Sequence, residues 1–316
     1  MHLIALLIGL AIERLATQLF HWRRMRWLDR IIDAGFRQAE RLGNWPAIIP
    51  VIILVALLVL PVFGIIFSLG ETSQGFTELE GFTELFLAIV VLMFSIGPKD
   101  IGEQVVEYCK ALESEDEEKI QNAAKAIIEA EVPADAHDRV IRVEEAVCVQ
   151  ANNRLFAVVF WFVVLGAVAG SVGPLAAWTY RVTDLIRRRA VFNEARDEQI
   201  SGSARRIRIA AESVHGLLAW VPARLTALGY ATAGHADQAI AALRAPTEDR
   251  DATMSEHSEH LLARVGVAAL ALEDRADESI TERGIRGATA ANKLVFRLLL
   301  IWAVIIAMMT LYGLTR

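Results

Sequence analysis

The chain has 316 residues, of which 54% are apolar and 22% are charged, and its formal net charge is −6. A mean hydropathy of +0.39 is too high for an ordinary soluble domain, so charged and apolar residues must be segregated, as in a membrane protein with water-facing parts. Two cysteines exclude a disulfide framework and a four-thiolate zinc site, and the mild acidity argues against nucleic acid as a partner.

Residues 1–98 contain three apolar segments that we interpret as membrane helices. They are residues 3–20, 45–69 and 84–98. A bilayer core about 30 Å thick requires roughly 20 helical residues, and of the three only 45–69 meets this length without a charge. The first segment has no basic leader and no small-residue cleavage site, so we expect an uncleaved helix that contains the ion pair of Glu13 and Arg14.

Arginine counts in the short loops predict the orientation of these helices. The loop 21–44 contains six arginines, whereas the loop 70–81 contains three glutamates and no basic residue. Because basic residues accumulate on the cytoplasmic side, we expect loop 21–44 to be cytoplasmic and loop 70–81 to be periplasmic. The acidic segment 99–154 then lies in the cytoplasm, and its apolar positions recur at helical spacing.

The second half of the chain alternates membrane and water-facing segments. Residues 155–180 form an uncharged span in which Gly173 and Pro174 predict a break, and residues 293–316 form a C-terminal membrane helix. Between them, residues 181–292 are predicted to be helical and water-facing, with an interfacial helix at 215–229. The number of crossings places 181–292 outside and its arginines place it inside; we favour the cytoplasm, and the alternative stays open.

These patterns predict the fold class and exclude several chemistries. No segment alternates as a strand does, so we expect an all-α, multi-pass protein of the bacterial inner membrane, with the lipid bilayer as a partner. The sequence contains no phosphate-binding loop, dinucleotide motif, zinc-protease motif or nucleophile elbow, so no cofactor and no metal site is predicted. It gives no indication of an oligomeric partner.

Polar side chains that the membrane segments place near lipid are the candidate site residues. They are Glu13, Arg14, Asn152, Asn153, Arg154, Arg181, Asp184, Trp220 and Arg224. Ionisable groups at this depth are costly unless they are paired or face a wet cavity, so they mark either a ligand site or ion pairs and anchors that fix the topology. Guanidinium groups in such a site would bind a carboxylate or a phosphate.

Three stretches of the sequence resemble the AmpE proteins, in the same order and with similar spacing. They are LLIGLAIERLATQLFHW, NNRLFAVVFWFVVLGAVAGSVGPLAAWTYR and HGLLAWVPARLTAL, and WVPAR at 220–224 is the most specific piece. AmpE-like proteins are inner-membrane proteins associated with the regulation of β-lactamase induction. They are similar to the larger superfamily of the cobalamin-synthesis protein CobD/CbiB, which forms an amide between an aminopropanol unit and cobyric acid.

The chain departs from the CobD/CbiB pattern at residues that could carry its chemistry. Where those enzymes have a Glu-Asn-x-x-Asp-Gly stretch, this chain has Val-Gln-Ala-Asn-Asn-Arg at 149–154, and where they have paired aspartates it has His215 and Gly216. Mg²⁺ prefers oxygen anions, and these positions do not supply them. The resemblance therefore implies a scaffold without the amide-forming site of the relatives.

We expect a regulatory inner-membrane protein that binds an anionic, cell-wall-derived ligand, either a muropeptide or a lipid headgroup. The expected pocket lies around Asn153, Arg154, Arg181, Asp184 and Arg224. One alternative is a condensing or amide-forming membrane enzyme in which Glu13 and Asp184 are the well-placed carboxylates. A third hypothesis is a scaffold or transporter accessory without a small-molecule site.

Overall fold

The computed structural model of the chain describes residues 26–41, 45–72, 77–96, 100–170, 172–196, 202–246, 252–273 and 275–313. All regular secondary structure within these ranges is helical, which confirms the predicted all-α class. The predicted first membrane helix at 3–20 lies outside the described residues.

Twelve α-helices and one π-helical turn lie in the described ranges. They are α1 (Arg26–Arg41), α2 (Ile48–Thr72), α3 (Thr77–Ser95), α4 (Ile101–Glu113), α5 (Glu117–Ile128), α6 (Ala136–Ala151), the π-turn (Asn152–Phe156), α7 (Ala157–Ala169), α8 (Val172–Arg196), α9 (Gly202–Ala233), α10 (Ala236–Arg244), α11 (Met254–Leu270) and α12 (Ile280–Leu311).

Three helical stretches are long and apolar enough to cross a membrane. They are Ile48–Ser68 in α2, Ala136–Ala169 through α6 and α7, and Ile280–Leu311 in α12. Only 11% of the most apolar part of Ile48–Ser68 and 22% of that of α12 is buried within the protein, against 67% for Ala136–Ala169. The first and last stretches therefore lie at the periphery, and the middle one forms the centre around which the others pack.

Helices α7 and α8 form an antiparallel hairpin that turns at Gly170. Gly170 adopts φ 49°, a conformation that glycine tolerates, and Gly173 and Pro174 lie in the first turn of α8, where proline costs little. A Cβ atom at position 173 would lie 2.6 Å from the carbonyl oxygen of Phe162, so the two helices can approach this closely only because of the glycine. The hairpin brings the π-turn and the segment 181–188 together at its open end.

A second body, separate from the α7–α8 hairpin, is formed by helices that precede and follow the hairpin in the chain. Helices α4, α5, α6, α11 and the first half of α12 enclose a core that includes Tyr108, Ile127, Val147, Leu262 and Leu294. The acidic run at 115–118 begins α5, because the Asp116 carboxylate accepts a hydrogen bond from the Lys119 amide and caps the helix.

Helix α9 joins the two bodies and contains the segment 215–229 that was predicted to be interfacial. Pro222 lies within this helix and has no N–H to donate to the carbonyl of Leu218 one turn earlier. The indole N–H of Trp161 on α7 donates to this carbonyl instead, at 3.1 Å. The proline is thus accommodated in a continuous helix that packs directly against α7.

Candidate functional site

The π-turn contains three of the candidate residues, and Asn153 among them contacts α8 through Tyr180. Asn152, Asn153 and Arg154 are all buried, and the N–H of Ala157 donates to the carbonyl of Asn152, five residues earlier. The extra residue in this turn widens the helix and redirects its side chains, a distortion that occurs frequently at functional sites.

Asp184 on α8 is the centre of a cluster of arginines. Its carboxylate is fully buried and accepts hydrogen bonds from Arg181 at 2.9 Å and from Arg187 at 3.1 Å. The Nε atom of Arg188 lies 2.8 Å from the same carboxylate. These arginines follow at positions −3, +3 and +4, so one face of α8 holds three cations around one anion.

Glu129 links this group to Arg154. Its carboxylate contacts the guanidinium groups of both Arg154 and Arg188. Glu129 is the residue that ends α5, and its backbone has the left-handed conformation, with φ 57°. Arg154 also donates to Gln104 at 2.6 Å and to Gln150 at 3.2 Å. Residues from four separate parts of the chain therefore meet at this point.

A chain of uncharged polar groups completes the cluster on its other side. His215 contacts Ser255 through Nδ1 at 2.8 Å and the Tyr180 hydroxyl through Nε2 at 3.3 Å. The Tyr180 hydroxyl donates to the Asn153 side-chain oxygen at 3.4 Å, and the Asn153 amide donates to Glu259 at 3.0 Å. A salt bridge of 2.7 Å from Arg187 to Glu259 closes the network.

The cluster contains more cations than anions. Among the described residues, Arg154, Arg181, Arg187 and Arg188 pair with three carboxylates, which are Glu129, Asp184 and Glu259. Arg181 has Asp184 as its ion-pair partner, and its buried Nε atom has no hydrogen-bond acceptor in the described part of the chain. Because a buried N–H group of a guanidinium without an acceptor is costly, the cluster is suited to receive a further anion.

The ionisation of the cluster follows from these contacts. Burial alone would raise the pKa of Asp184, but the attraction of Arg188, Arg187 and Arg181 outweighs it and holds the pKa well below its usual value. The pKa of Glu129 is lowered by Arg188 and Arg154 against the same opposing effect of burial. Burial, reinforced by Arg187, lowers the pKa of His215 to about 3, so this imidazole is neutral at physiological pH.

An acidic group lies beside the arginine cluster. Arg208 on α9 forms salt bridges with three carboxylates, which belong to Glu194, Glu212 and Glu256. Burial raises the pKa of Glu212, and the nearby Arg208 opposes this shift. Helix α11 contributes Glu256 to this group and Glu259 to the arginine cluster, so the two groups are neighbours of opposite net charge.

The structure divides the candidate residues into three sets. Asn152, Asn153, Arg154, Arg181 and Asp184 lie together in the cluster, and Glu13 and Arg14 lie outside the described residues. Trp220 and Arg224 lie on the outer face of α9, where the Arg224 guanidinium packs on the Trp220 ring, 4.0 Å from the ring centre, and donates to the Trp220 carbonyl at 3.0 Å.

Sequence reasoning missed several members of the cluster. Arg187 and Arg188 were used only to predict orientation, although their spacing from Asp184 already places them on its face of the helix. From the sequence, His215 is only a departure from the CobD/CbiB pattern, and Glu259 is not among the candidate residues. Glu129 gave no signal, because its position depends on how α5 ends and packs.

No metal site is evident in the described ranges, where no three His, Cys, Asp or Glu side chains are close enough to hold an ion. The His257 ring contacts the carbonyl of Thr253 within its own helix, at 2.9 Å.

Comparison with known proteins extends over the whole chain. The family model described as regulatory signalling modulator protein AmpE matches residues 1–315. A cobalamin biosynthesis protein CobD from Stutzerimonas stutzeri (strain A1501) is 29% identical over 153 residues, which are 48% of this chain and 46% of the relative. The match thus spans about half the length of this relative. No solved structure matches the chain.

Proposed function

The chain belongs to the AmpE family of regulatory signalling modulators, and on this premise we propose that its arginine cluster binds an anionic, cell-wall-derived ligand and thereby modulates β-lactamase induction. The observation that carries the proposal is the unequal charge of the cluster, with four guanidinium groups facing three carboxylates. Planar guanidinium forks bind carboxylate and phosphate groups in pairs of parallel hydrogen bonds, and both groups occur in muropeptides and lipid headgroups.

Two partly exposed carboxylates form the rim of the cluster and provide a route for the ligand. The Glu129 and Glu259 side chains are 29% and 25% exposed, whereas the Asp184 side chain is fully buried. An incoming anion replaces a rim carboxylate on Arg188 or Arg187, binds the Nε–H of Arg181 as well, and leaves the Asp184 contacts in place. The displaced glutamate moves into water, and its departure changes how the end of α5 packs on α8.

The hairpin supports a location of this site at one aqueous face of the membrane. Because α7 and α8 return to the same end, the segments 99–154 and 181–292 meet there, and both contribute cluster residues. The basic loop 21–44 joins this end through Asp33, which pairs with Arg189 on α8 at 2.6 Å. The arginines of all three segments support a cytoplasmic location for this end under the positive-inside rule.

The substitution Arg181→Gln tests the proposal, because it removes the guanidinium whose buried Nε atom has no acceptor among the described residues and leaves a neutral polar side chain in its place. The matched control is Arg205→Gln, an exposed arginine on the first turns of α9. We expect R181Q to weaken binding of a purified muropeptide by about tenfold in calorimetry of the full chain in detergent, since a charge-assisted pair is lost. R181Q should also change β-lactamase induction in cells at unchanged protein level. Wild-type binding and induction in R181Q would refute the proposal.

The similarity to CobD favours a second candidate function, which is that of an amide-forming enzyme with a different set of catalytic residues. Against it, the cluster carboxylates Asp184 and Glu129 each contact at least two arginines, which leaves them poorly suited to hold a divalent cation. The test is incubation of the full chain with cobyric acid, an aminopropanol substrate and Mg²⁺. Formation of the amide, detected by mass spectrometry, would replace the binding proposal.

A further inference from the structure

The outer face of α9 is apolar where a water-facing helix would be polar. Five large side chains recur there at helical spacing, with exposed fractions between 38% and 68%: Leu217, Trp220, Val221, Leu225 and Leu228. The opposite face, which includes Ala219, Ala223 and Ala227, is buried against neighbouring helices. The exposed stripe therefore faces a medium other than water.

The neighbours of this helix place the stripe at membrane depth. The Leu218 carbonyl accepts the indole N–H of Trp161, which belongs to the apolar stretch Ala136–Ala169. At the other end, Leu298 of the C-terminal apolar stretch packs so closely on Gly229 that a Cβ there would lie 2.4 Å from it. Because α9 packs on two helices able to cross the bilayer, its outer face contacts lipid.

Arg224 lies within this stripe and is the one arginine or lysine between residues 209 and 243. In the described part of the chain no carboxylate lies within ion-pair distance of it. One of its N–H groups donates to the Trp220 carbonyl, and no described residue accepts a hydrogen bond from the others. An arginine within an apolar stripe extends its guanidinium towards the lipid headgroups, and tryptophan is enriched at the same level.

We propose that Trp220 and Arg224 form a binding site for the phosphate of an anionic phospholipid, whose acyl chains lie along Leu217, Val221 and Leu225. Charge complementarity selects this occupant, because the site combines an apolar surface with a cation that has no carboxylate partner among the described residues. A guanidinium can hold two phosphate oxygens at once, and the indole ring fixes its orientation. This site is separate from the arginine cluster and does not depend on its proposed ligand.

Native mass spectrometry of the full chain in detergent tests the site, with phosphatidylglycerol and phosphatidylcholine of matched acyl chains as the probes. We expect wild-type protein to retain phosphatidylglycerol in preference to phosphatidylcholine, and Arg224→Ala to lower its apparent affinity for phosphatidylglycerol by about tenfold. Arg224→Lys should retain part of the preference, because it keeps the charge and loses the fork.

The control variant is Arg205→Ala, which removes the same charge from the polar start of α9. It should bind phosphatidylglycerol as the wild type does, and all variants should elute as the wild type does in size-exclusion chromatography. The proposal is overturned if R224A retains phosphatidylglycerol as the wild type does, if R205A loses it equally, or if phosphatidylcholine binds as well.

Discussion

The arginines near the membrane occupy two contrasting environments. In the cluster on α8, Arg181, Arg187 and Arg188 are surrounded by protein, and the fold supplies Asp184 as their counter-charge. On the outer face of α9, Arg224 contacts an aromatic ring and a backbone carbonyl, and no carboxylate of the described residues pairs with it. Arginine side chains are thus neutralised by carboxylates of the protein in the first region, whereas in the second region the arginine is open to partners outside the protein.

This difference teaches how each region should respond to substitution. A buried ion pair loses its compensation when one member is removed, because the remaining charge cannot reach water. A cation at the protein surface can be replaced with little loss, because it has no partner to leave behind. Four substitutions sharpen or break this comparison.

We expect the largest effect from Asp184→Asn, which preserves the shape of the side chain and removes the negative charge at the centre of the cluster. Removing one member of a buried ion pair costs about 3–5 kcal/mol, and here three arginines lose their common partner. Thermal unfolding of the full chain in detergent provides the measurement, and Asp237→Asn on the exposed start of α10 is the control. An unchanged melting temperature in D184N would show that the cluster does not depend on its central charge.

Gly216→Ala should have the next largest effect, on the inner face of α9. A Cβ atom there would lie 2.6 Å from the backbone nitrogen of Ser255 on α11, and backbone atoms cannot move aside as a flexible side chain does. Overpacking of this kind costs about 1–3 kcal/mol. The control is Gly64→Ala in α2, where nothing lies within 4 Å of the added atom. Equal stability of G216A and G64A would contradict the close crossing of α9 and α11.

His215 should make stability dependent on pH. Its pKa is lowered to about 3 by burial and by Arg187, so the unfolded chain binds a proton near pH 6.5 that the folded chain does not. Stability should therefore fall as the pH drops from about 6.5 towards 3, by up to about 1.4 kcal/mol per pH unit.

The pH prediction is checked by unfolding wild type and His215→Gln between pH 7 and pH 5. We expect the wild type to lose stability faster than H215Q over this range. His235→Gln, an exposed histidine before α10, should behave as the wild type does. Parallel pH profiles for wild type and H215Q would mean that the pKa of His215 is not lowered in the folded protein.

Arg224→Ala should have the smallest effect on stability, within about 0.5 kcal/mol, because the side chain is on the surface and has no ionic partner. The same thermal unfolding experiment measures it in detergent without added anionic lipid. A loss of stability as large as that of D184N would show that the protein depends on Arg224 as it does on the arginine cluster, and the contrast between the two regions would be wrong.

The fold class and part of the candidate site were predictable from the sequence. Period and hydropathy are local properties, so they indicated helices and placed the apolar stretch at 45–69 within a few residues of the observed α2. The predicted C-terminal span at 293–316 is the apolar second part of α12, which already begins at Ile280. The predicted span at 155–180 is divided between α7 and the first part of α8, and the break lies at Gly170, whose positive φ ends α7, instead of at Gly173 and Pro174. A charge-free run does not show where the chain reverses.

The candidate site also combines contacts that are local in the sequence with contacts that depend on how the helices pack. Arg181 and Asp184 are three residues apart on one helix, so their contact follows from spacing alone. Trp220 and Arg224 are also local neighbours, and their contact was equally accessible. The separation of this pair from Arg154 was not, because it depends on which face of α9 packs against α7.

The sequence alone determined that this chain is helical, that it has stretches suited to a membrane, and that it belongs to the AmpE family. These properties follow from composition, periodicity and motifs, which depend on residues close together in the chain. Only the tertiary structure decided that Glu129, Arg154, Asp184, His215 and Glu259 share one buried network while Arg224 faces outward. The physical reason is that charge compensation in a protein interior depends on distances between residues far apart in the chain, which are set by the packing of helices.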